Sequence, residues 1–208
     1  MSIHTITLGM GCFWSPDALF GSLPGVVRTC TGYAGGTTAG PTYRSMGDHT
    51  EMVEVVYDEA QLTLERILDV FWSHHSPLNI NDYKGRQYQS ILLYRDSEQL
   101  ERIEAALEAI ERREGTRPAT DVMPLLSFTP AEERHQKYYL KRYPDAVGKL
   151  RSLYRDEAAL TESTVAARLN GLAKGYTNLT AITDEIRGWV IDESERERLL
   201  QLVRSIKW

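Results

Sequence analysis

The chain has 208 residues, 42% apolar and 25% charged, which fits a globular protein and excludes a disordered or fibrous one. A net charge of −5 offers no broad basic footprint for nucleic acid or an anionic membrane, and no run approaches the ~18 apolar residues of a membrane span. Two cysteines cannot staple a chain this long, and Met1-Ser2-Ile3-His4 lacks the basic and apolar regions of a secretory signal, so a reducing cytoplasm is expected.

Residues 3–9, Ile-His-Thr-Ile-Thr-Leu-Gly, alternate apolar and polar and predict a strand. Past Gly11-Cys12-Phe13-Trp14, Pro16 suits the first turn of a helix and Asp17 its positive end, and Pro24-Gly25 stops it. Residues 26–31 predict a second strand, broken at Gly32 by a Gly/Thr/Pro loop that runs on to Tyr43. Residues 53–57 are a third strand. Residues 64–74 carry an apolar helical face. A loop over 76–86 leads to a strand at 90–94. Asp96-Ser97-Glu98-Gln99 resembles a capping box that opens a charged helix to about Arg113. Residues 120–128 predict a strand that Pro124 breaks or confines to an edge. Thr129-Pro130-Ala131-Glu132 carries a Thr cap, Pro at N1 and Glu at N3, and predicts a helix to about Arg142.

Residues 146–208 lack β-branched alternation and repeat apolar residues at helical spacing, with a second capping box at Asp192 and Glu195. They predict a bundle of three or four helices. The expected class is α+β: a mixed sheet with packed helices over residues 1–145, then a small helical C-terminal extension over 146–208.

Cys12 follows a strand and precedes a helix. Unpaired N–H groups at a helix start stabilise a thiolate, so its pKa is expected to fall and its nucleophilicity to rise. The competing reading is a small buried hydrophobe. Phe13 and Trp14 read either as ordinary core or as the wall of an apolar pocket beside the sulfur.

An ordered series of motifs adds to this. Gly11-Cys12-Phe13-Trp14, Leu23-Pro24-Gly25-Val26, Gly32-Tyr33-Ala34-Gly35-Gly36 and Pro41-Thr42-Tyr43 are followed by Glu51 to Asp58 and Phe71-Trp72 with His75. Asn81-Asp82, Gln87-Tyr88 with Ser90, and His135-Gln136 with Tyr138 complete it. Over roughly residues 5–140 the series resembles the A-type peptide-methionine sulfoxide reductases. The resemblance implies a ferredoxin-like reductase core in a monomer. It implies that Cys12 attacks the sulfur of methionine S-sulfoxide, free or in oxidised proteins and peptides, and becomes a sulfenic acid. Glu51 matches the family's acid, with a pKa raised by desolvation. Tyr43 and Tyr88 match hydroxyls that hold the oxygen. Phe13 and Trp14 match the pocket for the methyl group, and Asp82 is the counterpart of a family aspartate.

Two stretches depart from the family pattern. Asn81-Asp82-Tyr83-Lys84-Gly85-Arg86-Gln87-Tyr88 is one residue longer than usual, with Arg86 in place of Thr, and Asp48-His49-Thr50-Glu51 stands where Gly-His-Ala-Glu is usual. Many members carry resolving cysteines near the C-terminus, and this sequence has no cysteine after Cys30. Cys30 lies mid-strand and reads as core, so a one-cysteine cycle is expected, reset by thioredoxin, glutaredoxin or glutathione with no bound cofactor. The stretch from Ser163 to Tyr176 is similar to a helical extension of members without those cysteines. No metal is expected: His74 and His75 point about 100° apart on a helix, and His135 reads as a supporting hydrogen-bond partner. The rival functions are a non-catalytic binder of oxidised methionine or regulatory module, which the altered Asp82 region motivates and the retained Cys12, Glu51, Tyr43 and Tyr88 oppose, and a general thiol peroxidase, which the Phe13-Trp14 pocket opposes.

Overall fold

In a computed structural model of the chain, which describes residues 2–80 and 85–208, the predicted β-branched runs pair as strands. These are β1 (Ile3–Met10), β2 (Val26–Ala34), β3 (Thr50–Asp58), β4 (Ser90–Tyr94), β5 (Asp121–Pro124) and β6 (Phe128–Pro130). They form a mixed sheet in the order β5-β4-β1-β3-β2-β6. All pairs are antiparallel except β4 with β5. Both prolines end edge strands, where a missing N–H costs no ladder bond.

One sheet face packs under α1 (Trp14–Gly21), α2 (Leu64–Ser73) and α3 (Ser97–Glu114). Ile6, Leu8, Val53 and Val55 meet Phe20, Ile67, Phe71, Ile103 and Leu107 there. Each such side chain, taken wholly from water, contributes about 1.5–3 kcal/mol. The opposite face carries a smaller cluster of Ala34, Met52, Ile91 and Leu93. Thr63 caps α2 and Asp96 caps α3, each accepting an N–H from three residues on.

Three expectations need correction. Strand β2 continues through Gly32 to Ala34, because Gly32 has no side chain where the Phe128 ring of β6 closes in. Residues 129–142 are not a helix: β6 is followed by isolated turns at Glu133–His135 and Leu140–Arg142. Long-range bonds outcompete the local cap. Gln136 accepts the Thr31 N–H (2.9 Å) and donates to the carbonyls of Thr31 (2.8 Å) and Ala131 (3.0 Å), continuing the sheet with a side chain. Beyond residue 143 there are five helices, not three or four: α4 (Pro144–Leu150), α5 (Glu157–Thr161), α6 (Thr164–Lys174), α7 (Leu179–Arg187) and α8 (Glu193–Ser205). Their loops are short enough that composition alone blends them.

These helices share a core of Leu160, Leu169, Ile182, Ile186 and Val203. Helix α6 also lies directly on α1. A Cβ on Gly171 would stand 2.9 Å from the Ala18 carbonyl, and one on Gly21 2.9 Å from that of Ala167. The buried Arg168 guanidinium donates to the Gly21 and Val26 carbonyls (both 2.7 Å) and pairs with Glu185 (2.7 Å). Among the described residues no helix is long and apolar enough to cross a membrane.

Candidate active site

The turn that presents Cys12 depends on Gly11, whose φ of +99° bends the chain out of β1 where a side chain would be strained and would strike Ile80. Phe13 occupies the cap position of α1, and the Trp14 backbone N–H points at the Cys12 sulfur. Cys12 is half-buried and free. The expected fall in its pKa does not occur. Burial pushes the thiol up to about 11, outweighing the Trp14 N–H, and the nearby Glu51 adds to the rise. The helix start acts in the expected direction but is too weak to offset lost hydration.

Glu51 sits at the start of β3 and is 1% exposed. One carboxyl oxygen accepts the Phe13 N–H (3.1 Å) and the other the Gln87 side-chain amide (2.9 Å). These bonds favour the anion, but burial is larger and holds the carboxyl above its ordinary range. The Gln87 amide also donates to the Tyr88 hydroxyl (3.0 Å), and that hydroxyl bonds to Tyr43. Burial, then Glu51 and Cys12, raise the Tyr43 pKa and keep it a donor. The structure therefore gathers Cys12, Glu51, Tyr43 and Tyr88 into one cluster. Asp82 lies outside the described residues.

Phe13 is buried, its ring against Tyr33 and His135. Trp14 is partly exposed, and one face is covered by Tyr138, parallel at 3.8 Å. Its indole N–H donates to His135 Nδ1 (3.2 Å), the supporting bond expected of that histidine. Burial holds the His135 pKa below its usual value, which suits an acceptor.

Sequence reasoning assigned no role to Gln87, which ties the acid to a tyrosine, or to Glu132. The Glu132 carboxylate accepts the Tyr33 hydroxyl (2.7 Å) and the Tyr43 N–H (3.2 Å), fixing the loop that carries Tyr43. The position of Gln87 in the quoted Gln87-Tyr88 motif was the available signal. Glu132 had none, because the predicted helix absorbed it.

The two departures from the family pattern touch each other. Thr50 donates to the Arg86 carbonyl (2.7 Å), and the Arg86 guanidinium donates to the Gly35 carbonyl (2.6 Å). Asp48 accepts the backbone N–H groups of Thr37 and Thr38 (2.8 and 2.9 Å), closing the same rim.

Cys30 pairs with Glu54 while Glu51 pairs with Tyr33, so alternation places Cys30 on the sheet face opposite Glu51. Burial pushes the Cys30 thiol up to about 11.

Comparison with known proteins gives the family. A family model described as peptide methionine sulfoxide reductase matches residues 4–166. A Drosophila melanogaster peptide methionine sulfoxide reductase is 39% identical over 194 residues, covering 93% of this chain and 77% of its own. The Halobacterium salinarum MsrA is 42% identical over 156 residues, covering 70% of this chain and 87% of its own. Among solved structures, methionine sulfoxide reductase A of Corynebacterium diphtheriae is 32% identical with a TM-score of 0.60, over 69% of this chain and 76% of that one. Mxr1 from Saccharomyces cerevisiae in reduced form is 28% identical with a TM-score of 0.61, over 69% and 87%. The mixed sheet, its helices, the ordered motifs and these likenesses agree that the chain belongs to the A-type peptide methionine sulfoxide reductase family.

Proposed function

We propose that this protein reduces methionine S-sulfoxide, free or in oxidised proteins and peptides, to methionine. One observation carries the reading: a buried carboxyl held, among the described residues, by neutral donors, beside a thiol and two linked tyrosine hydroxyls. The Cys12 sulfur attacks the sulfoxide sulfur as Tyr43 and Tyr88 hold the oxygen. Glu51 donates its proton to that oxygen and takes the thiol proton in return. Sulfoxide and thiol become thioether and Cys12 sulfenic acid, with no proton drawn from water. The raised thiol pKa fits this exchange, because the resting thiol carries the proton the oxygen needs. Phe13 and Trp14 flank the sulfur for the methyl group, and Asp82 completes the set of site residues.

An external thiol then resets Cys12, a reading supported by Cys30 lying on the sheet face opposite Glu51. The yeast reductase Mxr1 has been captured with Trx2, and a thioredoxin-type dithiol is one donor in this reading. Glutaredoxin and glutathione supply the same chemistry. Two free cysteines fit a reducing compartment such as the cytoplasm. Residues 1–145 act as the catalytic unit, and 146–208 as an extension that buttresses α1.

Incubation with each epimer of a blocked methionine sulfoxide and dithiothreitol tests the proposal. Turnover of the S epimer alone, lost in Cys12→Ser, is expected. Stoichiometric binding without product would make the protein a binder. Peroxide consumption with no epimer preference would make it a peroxidase.

A further inference from the structure

A cavity of about 220 Å³ borders Cys12 without including Glu51, Tyr43 or Tyr88 in its lining. Ser15 and Leu19 of α1 form one side, His74 and His75 at the end of α2 another, and Tyr176, just past α6, contributes the extension's share. The space is smaller than the ~300–1,000 Å³ pockets that enclose drug-sized ligands, and it suits a small thiol or a single cysteinyl residue.

Its two histidines differ. His75 Nδ1–H donates to the Phe71 carbonyl (2.7 Å) and Nε2 accepts from Ser90 (2.8 Å). Ser90 is bonded to Thr120 (2.9 Å), which accepts the Trp72 indole N–H (3.0 Å). This chain of donors fixes His75, and burial lowers its pKa, so it is a neutral strut. His74 is exposed, and its Nδ1–H donates to the Val70 carbonyl (2.8 Å). In the neutral ring that tautomer makes Nε2 the basic nitrogen.

We propose that this cavity admits the cysteinyl thiol that resets Cys12, with Tyr176 at the opening and His74 as the base that receives the thiol proton. The inference rests on the proposed sulfenic acid. Displacement at that sulfur runs in line, with incoming sulfur, Cys12 Sγ and departing oxygen on one axis. The oxygen is held by Tyr43, Tyr88 and Glu51, so the entering thiol needs a side free of those groups, and this cavity supplies one. The thiol sulfur is oxidised and the Cys12 sulfur reduced as an S–S bond forms and the S–O bond breaks. The oxygen leaves as water on a proton from Glu51, while His74 passes the thiol proton to solvent, from which Glu51 is reprotonated. A second thiol attacks the mixed disulfide, releasing the Cys12 thiol and a disulfide product. The extension thus shapes access for the reductant, in a chain with no cysteine after Cys30.

The test separates the two half-reactions. Wild-type protein and the variants Tyr176→Trp and His74→Gln each complete one turnover on blocked methionine S-sulfoxide without thiol, and methionine is measured. Reduced glutathione or thioredoxin is then added, and loss of the sulfenic acid is followed by trapping and mass spectrometry. Unchanged methionine formation is expected in both variants. Tyr176→Trp should slow reset roughly 10-fold or more by misplacing the approach, and His74→Gln roughly 10- to 100-fold by removing the base. Slowing with both donors supports a site for cysteinyl thiols in general, and slowing with glutathione alone supports a small-thiol site. Unchanged reset in both variants overturns the inference. So does a matching loss in methionine formation, which would place the cavity in the sulfoxide site. Absence of methionine from wild-type protein sinks the enzymatic reading itself, and is seen before any reductant is added.

Discussion

Asp17 in the first turn of α1 and Glu51, which accepts the N–H of its cap residue Phe13, are both fully or almost fully out of water, and their partners differ in kind. Asp17 is tied to the Lys137 ammonium (2.8 Å), the Thr29 hydroxyl (2.5 Å), the Lys137 N–H (3.1 Å) and the Asn170 amide (3.0 Å). Glu51 receives a backbone N–H and a glutamine amide, and among the described residues no cation pairs with it. A cation offsets much of the cost of burying a carboxylate and makes a structural knot. Neutral donors offset less, so the neutral acid is favoured and a proton is held ready where sulfur chemistry needs one. Depth of burial is similar, and the partner decides between scaffold and acid.

Substitutions that alter these partners test the contrast. The largest effect is expected from Glu51→Gln, which removes the proton donor: methionine formation should slow by roughly 10²- to 10⁴-fold with KM little changed. The wild-type rate should be full at low pH and fall as pH rises through the raised Glu51 pKa, because the acid form does the work. The variant should lack that limb. Lys137→Met strands the Asp17 charge and should cost about 3–5 kcal/mol in urea unfolding, partly recovered in the Asp17→Asn double variant. Gln87→Lys would turn the Glu51 site into an Asp17-like pair. The falling limb of the pH–rate profile should then move down by roughly 1–3 pH units, measured by stopped-flow methionine formation. Asn170→Ala is the mildest change. The Asn170 side-chain oxygen accepts the N–H groups of Tyr139 (3.1 Å) and Leu140 (3.0 Å), so its loss should cost about 1–3 kcal/mol of stability.

Legibility in the sequence followed the range of the forces involved. Strand β1 and helix α3 were readable because alternation and an Asp cap are local signals. The cluster of Cys12, Glu51, Tyr43 and Tyr88 was readable through motif order, although nothing in their spacing says that Gln87 links acid to tyrosine. Residues 129–142 misled because a valid cap signal competed with Gln136 bonding to Thr31, a contact across 105 positions. The Cys12 thiol misled for the opposite reason: its helix start was visible, but the burial that outweighs it is a property of the folded whole. Lys137 adopts a φ of +51°, unusual for a side-chain-bearing residue, and no local pattern marks it.

The contact between α6 and α1 also bears on how the protein is made. Asn170 bonds to Asp17 across 153 positions, so the helix that follows the thiol cannot complete its packing until most of the polypeptide has left the ribosome. Until then the wall that Tyr176 lends to the cavity beside Cys12 is missing, and the nascent protein passes through synthesis with that approach to the thiol unshaped.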